Sequence, residues 1–105
     1  MSALQQLRTM TTIVADTGDL AAIERLKPID ATTNPSLITK ALIHPDNEAV
    51  LSETMSRHRD DIDAVIDELT IQIGCNILSL IEGRVSTEVD ARLSYDTQAT
   101  IDKAL

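Results

Sequence analysis

Phenylalanine and tryptophan are absent from this chain of 105 residues, and tyrosine occurs once, at Tyr95. A core must therefore be built from aliphatic side chains, within a hydrophobic fraction of 43%. Basic residues are also scarce: 9 Lys and Arg stand against 17 Asp and Glu, a formal net charge of −8. Such a surface repels phosphate backbones and anionic lipid, which argues against nucleic acid and membrane as partners. It also offers no evident cationic cradle for a phosphorylated small molecule. The single cysteine, Cys75, excludes an internal disulfide; within a helical pattern it reads as a small buried hydrophobe rather than a nucleophile. No apolar run reaches the ~18 residues of a transmembrane helix, and no cleavable leader pattern stands at the N-terminus. A reducing, aqueous compartment follows, with the cytoplasm as the expected location. With 3 Gly and 3 Pro there is no linker and no low-complexity segment, so residues 1–105 read as one domain.

What is present is an alternation of short strands and helices. Ser2 to Met10 reads as a short helix and Thr11 to Ala15 (TTIVA) as a β-branched, buried strand. Leu20, Ile23 and Leu26 share one side of a helical stretch that Pro28 closes, and Ile29 to Thr33 forms a weaker second strand. Asn34-Pro35-Ser36 opens a helix. The Asn side chain suits the N-cap, and proline at the first helical position loses no intrahelical hydrogen bond. That helix ends near His44-Pro45, and another begins around Asp46. The clearest helix starts at about Asp60, where Ile62, Val65, Ile66, Leu69, Ile73, Ile77 and Leu80 form one apolar stripe. Asp60, Asp61 and Asp63 sit where the helix dipole favours negative charge, and Gly83 is the expected stop. Arg84 to Val89 reads as a third strand, and Asp96 to Leu105 as a final helix. This order predicts parallel strands joined by crossover helices, an α/β fold.

Three segments each run from an apolar stretch into a polar tip: Thr11 to Asp19, Ile29 to Ser36 and Arg84 to Ser94. Polar residues at the C-terminal ends of successive parallel strands are how a (β/α)8 barrel builds its active site. Such a barrel takes about 250 residues, so the expected architecture is an incomplete (β/α)8 TIM-type barrel of about three parallel strands. Its open sheet edges are expected to be covered by a complementing chain or by further copies of this one.

The segments TTIVADTGDLAAI, DATTNPSLI and GRVSTEVDARLSYDT closely resemble the transaldolase family, in the subgroup with a long helical insertion between the second and third strands. The resemblance covers nearly the whole chain and matches the N-terminal portion of that enzyme. It implies transfer of a dihydroxyacetone unit between sugar phosphates, in the pentose phosphate pathway, through a Schiff base on lysine and without a cofactor. It assigns Asp16 as the general acid/base of carbon–carbon cleavage. Asn34, with Thr32 in the same motif, would bind the dihydroxyacetone moiety, and Glu88 would serve a catalytic water. Both carboxylate roles fit general chemistry: a base must reach the hydroxyl it deprotonates, and paired carboxylates in a confined site separate their pKa values. The family's Schiff-base lysine has no counterpart here. Lys27, Lys40 and Lys103 all fall in helical stretches, and the chain alone is expected to be inactive.

Each residue also has a plainer reading. Asp16 in ADTGD would cap the next helix, Asn34 would be a helix cap and nothing more, and Glu88 would pair with Arg92 or Arg84. Glu88 would share the barrel interior with apolar Val85 and Val89 only after a twist or bulge. His44 and His58 match no metal-ligand spacing, and no metal is expected. The acids at Asp60 to Asp63 lack the alternation and glycine of a calcium loop, and Ser36, His44 and Asp46 form no triad. The alternatives to a partial transaldolase are a self-associating remnant without catalysis and a sugar-binding remnant.

Overall fold

The computed structural model describes all of residues 1–105. Helix α1 (Ala3–Met10) opens with a capping box: the Gln5 N–H donates to Ser2 Oγ at 3.2 Å, and the Ser2 N–H donates to Gln5 Oε1 at 2.7 Å. Strand β1 (Val14–Asp16), helix α2 (Leu20–Leu26), strand β2 (Asp30–Thr32) and helix α3 (Pro35–Leu42) follow. A 3-10 turn at Pro45–Asn47 leads into α4 (Glu48–Arg57), and α5 (Ile62–Leu78) runs back to β3 (Val85–Ser86). A second 3-10 turn, Ala91–Leu93, precedes α6 (Thr97–Ala104). The strands form one parallel sheet in the order β1-β2-β3, so every crossover is helical, as the alternation predicts.

All the large helices that meet the sheet lie on one face of it. Ile23 of α2, Ala31 of β2, Ile38 of α3 and Ile73 and Ile77 of α5 form the core cluster, with Ala15 and Val85 packed against it. Ile23, Ala31 and Ile77 are fully enclosed. Burying an isoleucine contributes about 1.5–3 kcal/mol, so this small aliphatic cluster does the work that aromatic residues share in other cores. The molecule is 19 Å across its thinnest axis, the depth of one sheet and one helix layer.

Several sequence expectations shift. Strand β1 is not buried: Val14 is 49% exposed, because β1 is an edge strand and its other face carries no helix. The stripe on α5 is covered only at Val65, Leu69, Ile73 and Ile77; Ile62, Ile66 and Leu80 stand beyond the reach of the covering elements and are exposed. Cys75, on the far side of that stripe, is exposed rather than buried. The helix ends at Leu78 with Ser79 as its cap, not at Gly83. Gly83 is required for a different reason: a Cβ there would lie 1.8 Å from Asp30 Oδ1 and 2.6 Å from the Ile29 carbonyl oxygen. The third strand is shorter than Arg84 to Val89, because β2 provides pairing partners only as far as Ser86. No helix is long and apolar enough to cross a membrane.

The amino-terminal and carboxy-terminal helices are attached by polar contacts. The Arg8 guanidinium donates to the carbonyls of Leu26 and Lys27 at the end of α2. Lys103 of α6 pairs with Asp67 of α5, and Arg92 bridges Asp90 and Asp63. Neither α1 nor α6 has a buried residue.

Candidate active site

The register of the sheet builds the site. Val14 pairs with Asp30, Ala15 with Ala31, which in turn pairs with Val85, and Asp16 with Thr32, which in turn pairs with Ser86. Successive side chains on a strand point to opposite faces. Ala15, Ala31 and Val85 pack into the helix layer, so Asp16, Thr32 and Ser86 form a row on the opposite, open face. They are the last residues of their strands, so the row lies at the C-terminal end of the sheet. The Thr32 hydroxyl donates to Asp16 Oδ1 at 3.0 Å, which fixes both side chains on that face.

The loops continue the pattern. Asn34 lies two residues beyond Thr32, and Glu88 two beyond Ser86. Thr87 Oγ1 stands 3.8 Å from where a Cβ of Gly74 in α5 would lie, so Thr87 looks toward the helices. Val85, the apolar residue of that strand, faces the helices.

Asn34 keeps the role its plain reading gave it and has capacity left over. Its Oδ1 accepts the Leu37 N–H at 3.0 Å, with Pro35 at the first helical position. That single bond uses one acceptor and holds the side-chain amide in place; the two amide N–H donors are not needed for the cap. Asp16, by contrast, loses its plain reading. The cap of α2 is Asp19, whose Oδ1 accepts the Ala22 N–H at 3.1 Å, while Asp16 is held by Thr32. Glu88 is exposed, and the expected ion pair with Arg92 does not form. Arg92 donates through Nε to Asp90 Oδ2 at 2.8 Å and through Nη2 to Asp63 Oδ1 at 3.1 Å. These hydrogen bonds raise the Arg92 pKa, with Asp90 the larger cause, and Asp90 is lowered in return by the Arg92 side chain.

Gly18, at the same parity beyond Asp16, lets the β1–α2 loop close on α3: a Cβ there would sit 3.2 Å from the Leu37 carbonyl oxygen. Below the row, Asp30 Oδ1 accepts the Arg84 N–H at 2.8 Å, and the Gly83 N–H donates to the Ile29 carbonyl at 2.9 Å. This seam sets where β3 begins and therefore where Ser86 and Glu88 stand. Asp30 and Ser86 escaped the sequence reading, which took Gly83 for a helix stop. The signal for Ser86 was the two-residue spacing to Glu88 in a strand whose apolar Val85 faces the helices.

None of the three lysines joins the row. Lys27 is the left-handed cap of α2, with φ 47°; Lys40 lies on α3 beside a cleft of about 320 Å³ between that helix and the β1–α2 loop; Lys103 is paired with Asp67, which raises its pKa.

The sequence model of the transaldolase/fructose-6-phosphate aldolase family matches residues 13–105. The chain belongs to that family. Transaldolase of Methylibium petroleiphilum is 51% identical over 104 residues, covering 98% of this chain and 33% of the relative. Transaldolases of Trichormus variabilis and of a Nostoc species are each 51% identical over 111 residues, covering 96% of this chain and 33% of theirs. The chain thus spans about one third of the length of these transaldolases, and its three parallel strands with flanking helices are part of the TIM-type fold of the family.

Proposed function

We propose that this chain provides the first three strand ends of a transaldolase site, which moves a dihydroxyacetone unit between sugar phosphates. Asp16 is the general acid/base that takes and returns the hydroxyl proton as the carbon–carbon bond breaks and forms. Thr32 orients the Asp16 carboxylate, Asn34 donates from its amide to the dihydroxyacetone oxygens, and Glu88 holds a water for proton transfers at the carbinolamine. The observation that carries this reading is the Thr32–Asp16 hydrogen bond, made in register at the strand ends on the face away from the helices.

The electrophilic step needs an amine, and the chain's lysines lie on helices or at their ends, away from the row. In this reading a segment outside residues 1–105 supplies both the Schiff-base lysine and the cationic groups for the substrate phosphate. The exposed thiol of Cys75 fits a reducing compartment such as the cytoplasm.

The test uses two proteins. The 105-residue chain, incubated with fructose 6-phosphate and borohydride, should trap no lysine adduct. A fusion of residues 1–105 to the remaining two thirds of the Methylibium petroleiphilum relative should trap one and transfer its dihydroxyacetone unit to erythrose 4-phosphate. An adduct on the short chain would refute the need for an outside amine. A folded fusion without transfer would refute the transaldolase reading.

A further inference from the structure

We propose that Gly18 is a positioning residue whose missing side chain sets the separation between the Asp16 carboxylate and the Asn34 amide; this rests on the transaldolase reading above and deepens it.

The two groups stand on different loops, after β1 and after β2, and a ring of three contacts joins them. The Thr32 hydroxyl donates to Asp16 Oδ1 at 3.0 Å. Two residues beyond Thr32, Asn34 Oδ1 accepts the Leu37 N–H at 3.0 Å. Gly18, two residues beyond Asp16, closes the ring by packing on Leu37 itself. A Cβ on Gly18 would lie 3.2 Å from the Leu37 carbonyl oxygen and 3.3 Å from Ala41 Cβ. The backbone does not demand the glycine, because its φ is not positive. What a side chain there would meet is α3.

The ring also shows which side would give way. Asp16 is held in the sheet ladder opposite Thr32. The loop after it is stiff: Thr17 Oγ1 accepts the Asp19 N–H, and Asp19 Oδ1 accepts the Ala22 N–H, each at 3.1 Å. Those bonds tie the loop to α2, whose Ile23 is fully enclosed. The start of α3 is less confined, with Pro35 and Ser36 exposed and Asn34 and Leu37 half-buried. A methyl group at position 18 therefore moves the first turn of α3 by a few tenths of an ångström, and the Asn34 amide with it. A dihydroxyacetone unit held by Asn34 is carried off the Asp16 carboxylate. Proton transfer needs its partners at hydrogen-bond distance, and a misplacement of about 1 Å can cost about 10²-fold in rate.

The fusion described above tests it, with Gly18→Ala, Ala41→Gly and the double variant. Steady-state transfer from fructose 6-phosphate to erythrose 4-phosphate gives kcat and KM. The yield of lysine adduct trapped by borohydride counts the folded sites that accept the ketose. Gly18→Ala should lower kcat roughly tenfold, less than the full 1 Å displacement would, with KM held and adduct yield undiminished. Ala41→Gly alone should keep the wild-type kcat. In the double variant the added methyl gains room toward position 41, and part of the lost kcat should return. In an active fusion, three results would each overturn the coupling alone: wild-type kcat for Gly18→Ala, a loss of kcat matched by the adduct yield, or a double variant no faster than Gly18→Ala. No transfer by the folded wild-type fusion would overturn the transaldolase reading and the coupling with it.

Discussion

On the face of the sheet that meets the helices, Ala15, Ala31 and Val85 line up in register beneath Ile23, Ile38, Ile73 and Ile77. One residue further along each strand, Asp16, Thr32 and Ser86 line up on the other face, where no helix covers them. The same strand tips support both rows. The difference teaches that a two-residue period separates stability from chemistry: the apolar row anchors the helices, and the polar row is left free to be chosen for what it does to a substrate. Substitutions on the two faces should therefore differ in kind, and the sharpest experiments set one face against the other.

The largest effect belongs to the covered face. Ile77→Ala removes the fully enclosed side chain at which α5 meets the sheet, and should cost about 2–5 kcal/mol in urea unfolding. The control is Ile71→Ala on the same helix, where the side chain is 63% exposed and the cost should stay under about 0.5 kcal/mol. Equal costs at the two positions would mean that α5 is not seated as described. Next comes the seam that joins β3 to β2. Gly83→Ala drives a Cβ against the Ile29 carbonyl and the Asp30 carboxylate. The backbone cannot swing away as a flexible side chain can, so a loss of about 1–3 kcal/mol is expected. Amide exchange at Ala31 and Thr33, which donate to the Arg84 and Ser86 carbonyls, should accelerate before exchange in α5 does. Unchanged protection there would show that β3 does not depend on the close approach.

The two faces were not equally legible. Strand–helix alternation, the Asn34-Pro35 helix start and the α5 stripe are local signals; the structure reproduces the first two, and the stripe at Val65, Leu69, Ile73 and Ile77. The polar row was found through motif resemblance, because a strand of three residues such as Asp30–Thr32 has too little periodicity to announce a face. Gly83 was misread as a helix stop because its real constraint is a contact with Asp30, far away in sequence. Cys75 and Val14 were placed inside because an apolar residue in an apolar run reads as buried. Whether it is buried depends on a neighbour that the run itself does not name.

Smaller effects lie away from both faces, where α4 and α5 are tied by charge. His58 Nε2 lies 2.5 Å from Glu68 Oε2, and Arg57 pairs with the other carboxylate oxygen. The hydrogen bond to His58, then the Arg57 charge, hold the Glu68 carboxyl below the usual glutamate range against the opposing effect of desolvation. A carboxylate whose folded pKa is depressed stabilises the fold fully above its unfolded value, about 4.3 for glutamate, and loses that contribution as pH falls through the folded value. Urea midpoints followed from pH 6 to pH 3 should decline on the acid side, and Glu68→Gln should flatten part of the decline. Asp90, lowered by Arg92, shares the same window, so Asp90→Asn serves as the parallel case. A decline identical in all three proteins would assign the acid sensitivity elsewhere. Because these groups are partly open to solvent, their effects should shrink in high salt, whereas the Ile77→Ala loss should not.

The smallest stability effect and the largest functional one should coincide, at Asp16. Asp16→Asn keeps the shape of the side chain and an oxygen that can accept from Thr32, on a face that packs against nothing, so urea unfolding should move by no more than about 0.5 kcal/mol. In the fusion with the Methylibium petroleiphilum relative, the same change removes the group that carries the hydroxyl proton, and transfer should fall by about 10²–10⁴. Thr32→Val separates orientation from proton carriage. It leaves the carboxylate but removes the donor that aims it, and should lower transfer by less than Asp16→Asn. If Thr32→Val proves as damaging to stability as Ile77→Ala, the row is part of the core and the division between the faces is wrong. If it changes neither stability nor transfer, the 3.0 Å bond to Asp16 is an ornament of the open face, and the orientation of Asp16 must come from the segments that complete the barrel.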